Sequence, residues 1–332
     1  MDLKKKTIIV LIVLSALLLI SNIITELLKS SDEDDKIEIS AKQIENNFLK
    51  ITELYGIDVA WIQIKKISSK NNDSLKHIYS AKIPTDVTIP SMIKDFSTLF
   101  ADPSVEIETY ERSINGNNLL RVSVNEERKF EAHLNYDKNI NREFARIGFI
   151  IKNAPIDLNS IINFKNLFPA DFALLLTPSD ESKNIINPLK KNKIKYLIDL
   201  SDKISSAAFE IEEGDSKFKL QRAVVAIISV FGRDAIYFFN SSSELYNSVI
   251  FNYVRDEFRK RKVKLKNHSL LTNLSGERDD LISLFKFYVK SGISNQPKLL
   301  LIDYEDAIVL KKEISAVKKA GHKFGIAENY VE

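Results

Sequence analysis

The chain has 332 residues with 48 Lys and Arg against 45 Asp and Glu, a formal net charge of only +3, so a globally basic nucleic-acid binder is excluded. A hydrophobic fraction of 44% and a charged fraction of 28% lie in the ordinary globular range and exclude a disordered or collagen-like chain. The absence of cysteine excludes disulfides, thiolate metal sites and cysteine nucleophiles together.

After Lys4-Lys5-Lys6 comes Thr7 to Ile24, an uncharged and almost wholly apolar run, followed by the acidic cluster Asp32-Glu33-Asp34-Asp35. At ~1.5 Å per residue this run reaches about 27 Å, close to a hydrocarbon core of ~30 Å. It reads as a single transmembrane helix over 7–28. The basic residues before it place a tail of residues 1–6 in the cytoplasm and the bulk of the chain outside it. A cleaved signal peptide competes with this reading, but no small-x-small cleavage pattern follows the run. The expectation is a single-pass membrane protein, with an acidic linker over 29–39.

Ser40 opens an S-x-x-Q capping box with Gln43, and Ile44, Phe48, Ile51 and Tyr55 recur at helical spacing until Gly56. Ile62 and Ile64, then His77 to Ile83, alternate as strands. Ile93, Phe96, Leu99 and Phe100 give a second helix. Val105–Tyr110, Leu119–Val124 and Phe130–Leu134 complete a mixed sheet, with Asn115-Gly116 as a hairpin turn. Residues 40–140 are thus expected to form a small α+β domain, whose His77 and His133 are ordinary strand histidines.

From Arg146 the pattern changes to seven short apolar runs: Ile147–Ile151, Phe172–Leu176, Tyr196–Leu200, Ala235–Phe239, Val263–Leu265, Leu299–Ile302 and Phe324–Ala327. Helical stretches around Leu158–Phe168, Glu181–Lys191, Phe218–Phe231, Ser243–Lys260, Arg278–Ser291 and Ala307–Ala320 separate them. Such alternation implies a parallel sheet, and both an open doubly wound sheet and a barrel fit it. No glycine-rich phosphate loop follows any strand, which disfavours nucleotide binding.

In either architecture chemistry belongs at the carboxyl ends of the strands. Those ends carry Lys152 and Asn153, Thr177, Asp199, Asn240 with Ser241 to Ser243, Lys266-Asn267-His268, Asp303 to Asp306, and Glu328-Asn329. Asp199, Asp303 and Glu328 suit a hard cation or an acid and base pair, and equally suit helix caps. His268 alone makes no metal site and reads as a loop histidine without function. The run Arg259 to Lys266 suits an anionic polymer or lipid headgroups. It also suits a helix end followed by a strand with one apolar face.

The order of elements, with Tyr55-Gly56-Ile57-Asp58-Val59-Ala60-Trp61-Ile62, Ile83-Pro84-Thr85-Asp86-Val87-Thr88-Ile89-Pro90 and Arg146-Ile147-Gly148-Phe149-Ile150-Ile151, resembles the divergent polysaccharide deacetylases. The resemblance runs from about Ser40 to the C-terminus. It implies a seven-stranded (β/α) barrel-like domain over 141–332, preceded by the small α+β domain and the transmembrane helix. The family's Ile-Asp-Asp at the first strand end falls on Ile151-Lys152-Asn153, which lacks both carboxylates. Its third-strand histidine falls on Asp199, and its Asn-His-Met-Gly-Ser falls on Phe239-Asn240-Ser241-Ser242-Ser243. Its Gly-His-Pro falls on Ala327-Glu328-Asn329, and the sixth-strand acid matches Asp303. Lys152, Asn153, Asp199, Asn240, Ser243, Asp303 and Glu328 therefore mark a degenerate pocket in which Lys152 pairs with Asp199 or Glu328.

The expected protein is a pseudo-deacetylase of the cell envelope that needs no metal or cofactor and binds a glycan or an envelope protein. Its membrane contact is the N-terminal helix, and no nucleic acid is expected. The alternatives are an active carbohydrate hydrolase or deacetylase with a rebuilt site of Asp199, Asp303 and Glu328, zinc-dependent if it deacetylates, and an envelope scaffold.

Overall fold

The structure is a computed structural model that describes residues 39–68, 74–100, 102–111, 117–200, 204, 206–293 and 296–325. Helix α1 (Ala41–Leu54) starts where Ser40 Oγ accepts the Gln43 N–H at 3.2 Å, and it buries Ile44, Phe48 and Ile51. Strand β1 (Ile62–Lys66), β2 (His77–Pro84), helix α2 (Ile89–Ser97), β3 (Val105–Glu111), β4 (Asn118–Val124) and β5 (Glu127–Asp137) follow. The strands order as β1-β2-β5-β4-β3, with β2 and β5 parallel and the other pairs antiparallel. Phe48 locks the helix to the sheet, its ring 5.5 Å from Tyr79 and 5.0 Å from Phe130. His77 Nδ1 lies 2.7 Å from Glu45 and His133 Nε2 lies 3.3 Å from Glu131, so both are partnered strand histidines.

The second sheet begins with β6 (Arg146–Lys152), followed by α3 (Leu158–Leu167), β7 (Phe172–Leu176), α4 (Asp180–Lys191), β8 (Lys195–Leu200) and α5 (Lys217–Phe231). Then come β9 (Ile236–Phe239), α6 (Glu244–Asn247), α7 (Phe251–Lys260), β10 (Lys264–Asn267), a 3-10 turn (His268–Leu270) and β11 (Leu271–Leu274). The described part ends with α8 (Arg278–Ser291), β12 (Lys298–Asp303), α9 (Tyr304–Lys319) and β13 (Lys323–Gly325). All pairings are parallel in the order β10-β9-β8-β7-β6-β12-β11, and β13 adds to β6 at Arg146–Gly148.

Edge strands β10 and β11 are joined by the single turn His268–Leu270, so Asn267 and Leu271 can stand no more than about 14 Å apart. That tether curls the sheet into an incomplete barrel. Both faces are apolar, as parallel sheets covered by crossover helices require. Phe149, Ile151, Leu174, Ile198, Tyr237, Leu300 and Ile302 pack under the helices. Ile150, Ala173, Leu197, Ile236, Phe238, Leu299 and Leu301 fill the concave side, which is therefore a packed core and not a pore.

Three expectations change. Among the described residues one more strand joins the seven expected, because Leu271-Thr272-Asn273-Leu274 pairs with β12 directly after a three-residue turn, with no helix to announce it. The helix expected over Ser243–Lys260 is two helices, since Ser248 is extended (φ −79°, ψ 156°) and its hydroxyl donates to Leu245 O at 2.6 Å. The single-pass membrane localisation is also corrected. Among the described residues no helix is long and apolar enough to cross a membrane, and α9, with 16 residues, falls short of the ~20 apolar residues that a span needs. The run Thr7 to Ile24, the turn Asn115-Gly116 and Glu328 lie outside the described residues.

The two sheets meet where the end of α1 abuts the end of α9. Arg142 donates to Tyr55 O at 2.8 Å, to Lys319 O at 2.7 Å and to Asp86 at 2.7 Å. Next to it, His322 Nδ1 accepts the Ala145 N–H at 2.9 Å, a bond only the unprotonated nitrogen can make. Burial, with the Arg142 charge adding, holds the His322 pKa below the usual imidazole value. The unfolded chain then takes up this proton first as pH falls below about 6.5, so the stability contributed above that pH is lost on acidification. His322→Gln, which keeps an acceptor, is expected to flatten the part of the urea-midpoint decline between pH 7 and pH 5.5 that His322 contributes.

Candidate functional site

Side chains alternate between faces along a strand, so the residues two beyond the concave core layer form the next layer toward the carboxyl ends. Two beyond Ile150 stands Lys152; two beyond Leu175, Leu197, Leu271 and Leu301 stand Thr177, Asp199, Asn273 and Asp303. A cavity of about 360 Å³ opens there, floored by Leu175, Leu271 and Leu301 and walled by Lys152, Asn153, Thr177, Asp199, His268 and Asn273.

Two paired units shape its charge. The parallel register sets Lys152 beside Asp303, and Lys152 Nζ lies 3.0 Å from Asp303 Oδ2. Asn153 turns the chain at φ +55°, a left-handed conformation that Asn tolerates, and its amide donates to Asp303 Oδ1 at 2.5 Å. Asp306 lies close enough to feel this pair: burial and the Asp303 charge push its carboxyl up, and Lys152 opposes them. Across the cavity, His268 Nε2 lies 2.9 Å from Asp199 Oδ1, with the ring edge-on to Phe238 at 5.8 Å. Asn267 Oδ1 accepts the Ser269 N–H at 2.9 Å and so fixes the turn that carries His268.

The structure thus brings Lys152, Asn153 and Asp199 into the cavity wall, with Asp303 behind them as the partner of the first two. Lys152 pairs with Asp303 and not with Asp199, one of its two expected partners, because β12 and not β8 is the neighbour of β6. Asn240 and Ser243 sit at the end of β9 but build its turn. Asn240 Oδ1 accepts the Ser242 N–H at 2.9 Å, and Ser243 Oγ caps α6 by accepting the Tyr246 N–H at 3.1 Å. Glu328 is outside the described residues. His268, read from the sequence as a loop histidine without function, stands in the cavity wall. The only signal for it was its place at a strand end.

A divalent ion of the kind the resemblance implies needs several anionic or imidazole donors pointing inward. Among the described residues no group of three or more His, Asp or Glu is placed to hold one. Asp199 and His268 are bound to each other, and the Lys152 ammonium and the Asn153 amide each take one oxygen of Asp303. The described donor set does not fit the ion. The arrangement offers amides, a hydroxyl, an imidazole and a carboxylate around an apolar floor, which suits a neutral polyhydroxylated ligand.

Lys152 and Asp303 are each about a third exposed, so their pairing is worth little net. A double-mutant cycle with Lys152→Met and Asp303→Asn is expected to give a coupling of about 0.5–1 kcal/mol in urea unfolding. A coupling of zero would mean the pair is not held.

Fold and cavity together define a curled parallel α/β sheet with a polar pocket at the carboxyl ends of its strands. No family model matches the sequence, and no curated protein does. Among solved structures the chain is similar to Bacillus subtilis PdaA, a family 4 carbohydrate esterase, at 10% identity over 57% of this chain and 82% of that one, with a TM-score of 0.34. It is similar to a mutant of BA3943, a family 4 pseudoenzyme with restored enzymatic activity, at 10% identity over 69% and 93% of the two chains, TM-score 0.38. It is similar also to the Bc1960 peptidoglycan N-acetylglucosamine deacetylase, at 11% identity over 56% and 88%, TM-score 0.38. The first two are family 4 proteins and the third is a peptidoglycan deacetylase. The pocket is read from its own residues.

Proposed function

We propose that the chain is a catalytically degenerate, deacetylase-like protein whose strand-end pocket binds a saccharide, with N-acetylated envelope glycan as the ligand class. The observation that carries this reading is the Lys152–Asp303 ion pair at the strand ends. Deacetylation needs a metal to polarise the acetyl carbonyl and a carboxylate base beside it. Here a cation sits among the carboxylates and neutralises the one nearest to it. What remains is a set of hydrogen-bonding groups that holds hydroxyl and amide groups without attacking them.

A second reading rests on the Asp199–His268 hydrogen bond. A carboxylate that orients an imidazole is half of an acid-base device, and a hydrolase could run on it without the lost acids. It differs from the rebuilt acidic site expected from the sequence, since Asp199 and Asp303 each face a partner of their own.

The test is one set of measurements on the purified protein: metal content, acetate release and product formation from chitooligosaccharides and peptidoglycan fragments, and calorimetric binding of the same ligands. Saturable binding without turnover, weakened at least roughly tenfold by Asp199→Asn, supports the first reading. Turnover abolished by His268→Ala supports the second. Stoichiometric metal with acetate release would overturn the first.

A further inference from the structure

Strands of a parallel sheet all begin on one face, here the face opposite the saccharide pocket. Two adjoining cavities of about 460 Å³ and about 500 Å³ lie there and share Lys193, Ile194 and Lys195. Five lysines line the pair of cavities, Lys165, Lys190 and Lys318 in addition to those two, against the carboxylates Asp171 and Asp234.

Three of these lysines are held by neutral groups. Lys165 Nζ donates to Asn192 O at 2.8 Å, Lys318 Nζ donates to Pro169 O at 2.9 Å, and Lys190 Nζ lies 6.0 Å from the centre of the Tyr196 ring. Their positions are fixed while these contacts leave their charge uncompensated. Part of the pattern has a plain cause: Lys165, Lys190 and Lys318 stand in the last turns of α3, α4 and α9, where cations suit the helix dipole. That accounts for about half a charge per helix and not for Lys193, which follows α4.

The basic run Arg259 to Lys266 reaches the same face, since β8 and β10 flank β9. Its first part is largely neutralised: Arg259 pairs with Asp256 at 3.1 Å, and Lys260 and Arg261 pair with Glu257 at 2.6 and 2.7 Å. Lys264 then opens β10 beside Ile236 and extends the basic face past β9. The run most conspicuous in the sequence is therefore half cancelled, and the shorter one at 190–195 lines the groove.

We infer that this groove binds an anionic polysaccharide whose repeat carries a carboxylate or a phosphodiester. Two adjoining concavities lined by five lysines match a single extended chain better than a flat lipid surface. Of the groove's four aromatic residues Phe168, Phe172 and Tyr196 are at least nine-tenths buried, which leaves the half-buried Phe324 alone and no row of rings on which successive nucleobases could stack. The site lies on the opposite face from the saccharide pocket and stands without it.

Polygalacturonate and inorganic polyphosphate serve as carboxylate and phosphate probes, with a 20-mer oligothymidylate and anionic phosphatidylglycerol vesicles as comparators. At 50 mM salt the full protein is expected to bind at least one of the two polymers, with affinity falling steeply by 200 mM. Lys190→Gln with Lys193→Asn, the latter chosen to tolerate the left-handed φ of +54°, is expected to weaken binding at least roughly tenfold at an unchanged thermal midpoint. Lys165→Gln with Lys318→Gln provides a second pair, and Asp199→Asn is expected to bind the polymer as the parent does. No polymer binding at 50 mM salt, unchanged binding by both lysine pairs, or tighter binding of the oligonucleotide or the vesicles overturns the inference.

Discussion

Phe149→Ala is expected to lower stability by about 3–5 kcal/mol, a large part of the ~5–15 kcal/mol that holds a domain of this kind. The side chain is fully buried at the centre of β6. Its ring meets Phe168 edge-on at 5.3 Å and leans on Phe324 at 5.4 Å and Phe285 at 6.3 Å. These partners come from the end of α3, from β13 and from α8, so one truncation opens a void that three separate elements would have to close. Void-lining groups in a dense core relax only partly, which is why the loss exceeds transfer free energy alone. Phe149→Leu, nearer in volume, is expected to cost about 1–1.5 kcal/mol. Urea unfolding decides the matter: the midpoint falls for both variants, more for Ala, with the slope unchanged. Because β6 also carries Lys152 and leads into Asn153, the Ala variant is expected to lose the proposed saccharide binding near its midpoint. An Ala variant within 1 kcal/mol of the parent would mean that β6 is not the centre of this core.

Much of this architecture was legible in the residues. The apolar runs around Phe149, Leu174, Leu197 and Leu300 are buried on both faces, so each is a nearly continuous hydrophobic segment that stands out without any partner. Ser40 and the spacing of Ile44, Phe48 and Ile51 declared α1, because a cap and a helical stripe are local signals. Strand β11 was not legible: Leu271-Thr272-Asn273-Leu274 has two polar residues, a convex neighbour only in Leu274, and no crossover helix before it. The same gap hid the place of His268 in the cavity wall. His268 acquires its role only because the turn into β11 carries it across to Asp199 on β8. The partner of Lys152 depends on which strand lies beside β6, and strand order is a long-range property that periodicity does not encode. The groove lysines escaped notice for a related reason. Lys165, Lys190 and Lys318 lie on three different helices, and only the shared direction of the crossovers gathers their ends.

Gly56→Ala is expected to cost about 2–4 kcal/mol, through backbone strain and a collision together. Gly56 ends α1 in a Schellman arrangement, with its own N–H on Glu53 O at 2.9 Å and the Ile57 N–H on Thr52 O at 2.9 Å. That ending requires the left-handed φ of +63°, which disfavours any residue with a Cβ by about 1–2 kcal/mol. A methyl group there would also run into the Ala320 carbonyl at the end of α9, a backbone atom with no rotamer to retreat into. Either α1 or α9 has to shift, and both are tied to Arg142, which bonds the carbonyls of Tyr55 and Lys319. The strain is therefore delivered to the junction between the two sheets. Two readouts follow: a lower urea midpoint, and faster tryptic cleavage after Arg142, whose side chain is almost buried in the parent. Gly214→Ala is the matched control, since a Cβ there meets nothing within 4 Å and the backbone is not left-handed. Equal effects of the two substitutions would show that Gly56 is only a loop glycine; a loss confined to Gly56 means that its left-handed turn and the close approach of α1 to α9 together hold this junction.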